Sequence, residues 1–85
     1  MAKSGRAKRR LRSVLQALAE RSGTDEELSE RLNLSGNTVR PRRGELESDG
    51  LIAHRGELRT TRSGRKARVW EITIAGWEAL RGGVL

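Results

Sequence analysis

The sequence predicts an α+β domain in which three short helices come first and a β-hairpin with a short closing helix follows. Three observations predict it. Apolar residues recur at helical spacing as far as Leu46, they give way to short strand-like runs after Gly50, and capping and turn residues punctuate the chain between these segments.

The 85 residues suffice for one domain. Residues 1–8 lack apolar periodicity and are expected to form a flexible basic arm ahead of a domain spanning residues 9–85. Leu11, Val14, Leu15 and Leu18 follow the i, i+3, i+4, i+7 pattern of an amphipathic first helix, with Gly23 expected as its C-terminal cap. Thr24 and Glu27 make a capping box, in which the hydroxyl bonds the first turn and the carboxylate reaches back. A second helix is predicted from Asp25 to Leu32, with Leu28 and Leu32 on its buried face. Asn33 tolerates the left-handed backbone of a tight turn, Leu34 plugs that turn into the core, and Ser35 can cap the next helix.

The third helix is predicted from Gly36 to Ser48, burying Val39 and Leu46, and Asp49-Gly50 stops it. Pro41 lies beyond its first turn, lacks an N–H and crowds the carbonyl four residues back, so a kinked or late-starting helix is expected. Leu51, Ile52 and Ala53 read as a short strand, Gly56 to Lys66 as an eleven-residue polar loop, and Ala67 to Thr73 as the return strand with Trp70 and Ile72 on one face. Thr73 can cap a final helical turn or two that holds Trp77 and Leu80. Both tryptophans are expected in the core, and His54 at a strand end on the surface.

Composition narrows the function. Eighteen Lys and Arg oppose eleven Asp and Glu, for a net charge of +7 and a pI near 11.4. A field of that sign favours polyanions, nucleic acid first. The charges are also grouped: six cations lie between Lys3 and Arg12, three at Arg40, Arg42 and Arg43, and six between Arg55 and Arg68, while five acids lie between Glu20 and Glu30. One acidic region and three basic ones are therefore expected. The absence of Cys excludes disulfides and thiolate metal sites, and a single His excludes a His-based metal cluster. Glu26, Glu27 and Glu30 point in different directions on a helix and are assigned to capping and a solvated face. No catalytic residues, metal or cofactor are expected. No apolar stretch approaches the roughly 20 residues of a membrane span, and a soluble cytoplasmic protein is expected.

Two short helices, a three-residue turn and a hairpin occur in the order of a winged helix. The run Leu28-Ser29-Glu30-Arg31-Leu32-Asn33-Leu34-Ser35-Gly36-Asn37-Thr38-Val39, with Leu46 and Gly50-Leu51-Ile52 behind it, resembles the helix-turn-helix of winged-helix regulators of the MarR and ArsR type. Trp70-Glu71-Ile72-Thr73-Ile74-Ala75-Gly76 resembles the end of their wing. Ser29 stands where such families more often carry Ala, and Asn33 where they carry Gly. Asn37-Thr38-Val39-Arg40-Pro41-Arg42-Arg43 also resembles small helix-turn-helix proteins of phages that infect actinobacteria.

The resemblance implies a winged helix-turn-helix: a three-helix bundle with a two- or three-stranded β-wing and a short C-terminal helix. It implies a double-stranded DNA-binding protein, a phage or bacterial transcriptional regulator working at the nucleoid of the bacterial host cell, with the third helix in the major groove. Candidate DNA contacts on that helix are Ser35, Asn37, Thr38, Arg40, Arg42 and Arg43; Arg can read guanine and Asn adenine, while the hydroxyls suit phosphates. Wing candidates are Arg59, Thr60, Thr61, Arg62, Ser63, Arg65 and Lys66, suited to phosphates or a narrow minor groove. Lys8 and Arg9 of the arm could follow the backbone or an adjacent groove. The alternatives are an architectural, excisionase-like or replication accessory DNA-binding protein, and an interaction module that binds a host protein through the acidic second helix and a C-terminal apolar patch of Trp77, Leu80, Val84 and Leu85. A homodimer on DNA is compatible with the sequence, and no membrane partner is expected.

Overall fold

The computed structural model describes residues 2–83, with side chains from Lys8 onward. The elements run α1 (Ala2–Glu20), α2 (Asp25–Leu32), α3 (Gly36–Ser48), β1 (Ile52–Thr60), β2 (Lys66–Ile72) and α4 (Ile74–Arg81). The expected boundary at residue 8 does not interrupt α1, which starts at Ala2. Ala, Lys and Arg are strong helix formers and no proline opposes them there, so propensity carries the helix past its last apolar contact.

Val14, Leu15, Leu18, Leu28, Val39, Leu46, Ile52 and Trp70 form the core, with Leu11, Leu32, Leu34, Leu51 and Ile72 packed around it. Leu15, Leu28 and Leu46 are fully buried, one from each of the three helices. Each such side chain contributes about 1.5–3 kcal/mol by leaving water, which ties α1, α2 and α3 into one bundle.

The ends of α2 and α3 follow local chemistry. Thr24 accepts from the Glu27 N–H at 3.1 Å, and the Glu27 carboxylate accepts from the Thr24 N–H at 3.4 Å, closing the capping box. Asn33 stands at φ 54°, and the Leu34 N–H reaches back to the Ser29 carbonyl at 3.0 Å. The Ser29 hydroxyl donates to the Leu34 carbonyl, which locks the same turn. At the end of α3, Gly50 takes φ +74°, and the Gly50 and Leu51 amides bond the Glu47 and Leu46 carbonyls, both at 3.0 Å. That pair of bonds needs a left-handed residue, which glycine supplies without a Cβ clash.

Several expectations meet a different outcome in the structure. Gly23 does not cap α1; it pairs edge-on with Trp70 through bonds of 3.1 and 2.8 Å, adding a one-residue third strand to the hairpin. The end of α1 is closed instead by Arg31, whose guanidinium donates to the Arg21 and Ser22 carbonyls at 2.7 and 2.8 Å. α3 starts at Gly36, so of the kink or late start expected of Pro41 the late start does not occur. β1 is longer than expected, leaving only residues 61–65 as the connecting turn, whereas β2 matches the expected return strand to within one residue at each end. Beyond the bundle one side of the hairpin faces solvent and the other meets the α2 carboxylates through Arg59, so polar residues fill both sides and no apolar alternation marks the outer half of β1. Finally, Trp77 is 46% exposed while Trp70 is buried. α4 turns Gly76 and Ala79 inward, because a Cβ on Gly76 would lie 2.2 Å from the Leu51 carbonyl oxygen. Such close backbone contact leaves no room for the indole.

β1 and β2 are antiparallel, with Ile52 opposite Ile72, His54 opposite Trp70, Leu58 opposite Arg68 and Thr60 opposite Lys66. A bulge falls between His54 and Leu58. His54 is half-buried within β1, its ring 5.8 Å from that of Trp70, and is not the surface strand end expected of it.

Candidate nucleic-acid interface

The N-terminal half of α3 is its open face. Ser35 holds the N-cap position with extended backbone, but its side chain makes no capping bond. Its hydroxyl lies 3.3 Å from the Thr38 hydroxyl instead. The first-turn amides are therefore left without a side-chain acceptor, the arrangement that suits an incoming anion. One turn on, Asn37 and Arg40 are exposed, and an Arg40 Nη2 donates to the Asn37 Oδ1 at 3.4 Å. Pro41, in the second turn, has no N–H to offer the Asn37 carbonyl.

The remaining α3 arginines are engaged within the fold. Arg42 pairs with Glu45 at 2.8 Å. Arg43 forms a two-pronged contact with Asp25, both distances 2.9 Å. It also reaches Glu47 at 3.3 Å and lies over the Trp70 ring, 4.5 Å from its centre. The hydrogen bond from Arg43 to Asp25 raises the pKa of this guanidinium despite its burial, so it stays charged at any accessible pH. Arg43 thus ties α3 to α2 and covers the indole.

α2 carries the acids that the sequence places together, and each holds a cation or amide of this same chain. Glu27 accepts from Arg59 at 2.6 Å and from Arg31 at 3.4 Å. Glu30 pairs with Arg62 at 2.6 Å, and Glu26 accepts from the Arg62 backbone N–H at 2.9 Å. Burial pushes the Glu27 carboxyl up, but the bonds from Arg59 and the Thr24 amide, with the charges of Arg59 and Arg31, outweigh it and hold the carboxyl below its ordinary value. The expected separate acidic region is therefore corrected: the α2 acids interleave with wing arginines and latch the wing to the helix. The contacts of α2 acids with Arg43, Arg59 and Arg62 join residues 18 to 36 positions apart, so no local pattern announces them.

The other predicted wing residues divide by position. Thr61 and Ser63 close the turn: their hydroxyls are 2.9 Å apart, and the Thr61 N–H donates to the Arg65 carbonyl at 2.7 Å. Thr60, Arg65 and Lys66 are exposed at or beside that turn. Lys8 and Arg9 are exposed on α1. Arg40, Arg65, Lys66 and Arg68 make no ion pair among the described residues. Arg68, exposed on β2, is absent from the sequence-predicted set; an unpaired Arg opposite Leu58 becomes a signal only once the strand register is known.

Among the described residues no helix is long and apolar enough to cross a membrane, and no group of three or more His, Asp or Glu could hold a metal ion. Val84 and Leu85, which the sequence adds to an apolar C-terminal patch, lie outside the described residues.

No protein-family model matches the chain, and no curated protein sequence matches it. Solved structures do. A protein from Thermoplasma acidophilum with a provisional assignment as a transcriptional regulator superposes with a TM-score of 0.74 at 17% identity, over 89% of this chain and 77% of that one. A PadR-like transcriptional regulator from Bacillus cereus gives 0.69 at 23% identity, over 85% and 74%. A MarR family regulator from Neisseria meningitidis gives 0.65 at 29% identity, covering 88% of this chain but only half of that protein. With α2 and α3 joined by a tight turn, a two-stranded antiparallel hairpin behind them and these regulators as structural neighbours, the chain has a winged helix-turn-helix fold.

Proposed function

We propose that this chain is a sequence-specific double-stranded DNA-binding protein, a phage or bacterial transcriptional regulator, with α3 in the major groove and the wing on the adjacent minor groove or backbone. The observation that carries the reading is the N-terminal face of α3, where an uncapped first turn adjoins exposed Asn37 and Arg40 with no acid paired to them. Ser35 and Thr38 hydroxyls and the first-turn amides suit phosphates, and they set the helix in register. Asn37 and Arg40 carry the groups that read adenine and guanine edges, each worth ~1–3 kcal/mol of discrimination. Lys8 and Arg9 extend the cationic surface along α1. The solved structures with this fold are described as transcriptional regulators, which supports regulation as the purpose of binding. The likeness of Asn37–Arg43 to phage proteins supports a phage setting.

Selection of bound sequences from a random duplex library tests the reading. A recovered motif whose contacts are lost in Arg40→Ala and Asn37→Ala is the expected result. A two-fold motif assigns a homodimer on DNA, and a single half-site a monomer. Enrichment of duplex without any motif would replace sequence-specific regulation by an architectural role. The α2 carboxylates are engaged by the chain's own arginines and amides, which weakens the case for α2 as an acidic docking surface for a host protein.

A further inference from the structure

The wing carries its cations on two limbs that face different surroundings. Cross-strand partners share a side of a hairpin, and neighbours along a strand alternate. Arg59 stands opposite Ala67, while Leu58 stands opposite Arg68 and Thr60 opposite Lys66. Arg59 turns to α2 and meets Glu27 at 2.6 Å. Leu58, Thr60, Lys66 and Arg68 therefore lie on the side of the hairpin turned away from the α2 acids. All four are exposed, Leu58 for 52% of its surface. Glu57 is engaged with Arg59 at 3.4 Å and Glu71 with Arg55 at 3.6 Å, so neither acid forms an ion pair with this row.

Resting on the DNA-binding reading, we propose that the wing meets the nucleic-acid backbone through Lys66 and Arg68 of its return limb and Arg65 at the end of the turn, whereas Arg59 of the outgoing limb and Arg62 of the turn are anchors that fix the wing on α2. Arg62 is held twice, through its guanidinium by Glu30 and through its main-chain N–H by Glu26. For Arg62 or Arg59 to take a phosphate, a carboxylate would be left bare beside that phosphate, and the repulsion would cancel much of the gain. Arg65, Lys66 and Arg68 carry no such cost. Leu58 beside Arg68 offers an apolar surface against the sugars that flank a phosphate. The row thus combines two cations, Lys66 and Arg68, with one aliphatic side chain and no paired acid, and Arg65 adds a third cation from the turn.

The dependence of duplex affinity on salt separates the two limbs, because each phosphate contact contributes about 0.9 to the slope of log K against log salt. With a mixed-sequence duplex as the probe, Arg68→Gln, Lys66→Gln and Arg65→Gln should each flatten the slope by about that amount, and Arg68→Lys should restore it. Arg59→Gln should leave the slope at its wild-type value, with any change in affinity uniform across salt. Glu27→Gln, which frees Arg59 without removing it, should steepen the slope. A wild-type slope in Arg68→Gln together with a flattened one in Arg59→Gln would overturn the assignment of the limbs. A wild-type protein that fails to bind the duplex at low salt would overturn the DNA-binding reading itself, and this inference with it.

Discussion

α2 and α3 are adjacent and joined by one turn, yet they treat their polar groups in opposite ways. α2 is closed on itself: Thr24 and Glu27 cap its start, and its acids are taken by Arg31, Arg43, Arg59 and Arg62. α3 begins without a side-chain cap and exposes Asn37 and Arg40. The difference teaches that a positive net charge does not identify the binding surface. What matters is which cations the fold has already neutralised. Arg43 and Arg40 sit three residues apart on one helix, and one is structural while the other is free of acids.

The largest expected effect lies on the closed side. Arg43→Ala removes a charge-assisted pair of hydrogen bonds to Asp25 and uncovers the Trp70 ring, and should cost about 2–3 kcal/mol of stability. Urea unfolding read by tryptophan fluorescence measures it, and a change below roughly half a kcal/mol would break the contrast. Arg40→Ala should do the reverse, leaving the urea midpoint unchanged while weakening binding to a selected duplex by about 2 kcal/mol, or roughly 30-fold in Kd. Fluorescence anisotropy with a labelled duplex reads it.

Glu27→Gln sharpens the comparison through pH. A carboxyl held below its ordinary value of 4.5 stabilises the fold above that value, and the contribution disappears as pH falls through the lowered one. The variant should be about 1 kcal/mol less stable at neutral pH and should approach the wild type as the solution is acidified below that range. Parallel stability curves for the two proteins down to acid pH would contradict the latch. An effect of similar size and opposite sign is expected for Pro41→Ala, which supplies the missing donor to the Asn37 carbonyl and should add about 1 kcal/mol of stability. Altered duplex affinity would give the proline a part in presenting Asn37; unaltered affinity would remove any such role.

The bounds of α2 and α3 were legible because their ends are set by neighbours in sequence: Thr24 with Glu27, Asn33 in the turn, Asp49-Gly50 at the stop. The core positions Leu15, Leu28, Val39 and Leu46 followed from helical spacing for the same reason. The return strand was legible from Trp70 and Ile72 on one face, but the outer half of β1 was not, since Arg55 to Thr60 meet solvent or the α2 acids and carry no apolar alternation to read. Trp77 was misplaced because α4 is apolar nearly all round. Which of its faces is buried depends on the close approach of Gly76 to the Leu51 backbone, a tertiary fact. The pairing of α2 acids with wing arginines is likewise tertiary, so the sequence showed the charges without their partners.

DNA binding by unpaired cations meets its most direct test in one titration: affinity of the wild-type protein for duplex DNA as salt rises from about 50 to 200 mM. Tight binding at the lower concentration with a steep, linear fall of log K against log salt is the predicted result, the mark of several phosphate contacts made by cations the fold leaves unpaired. No binding at low salt, or an affinity indifferent to salt, would contradict it.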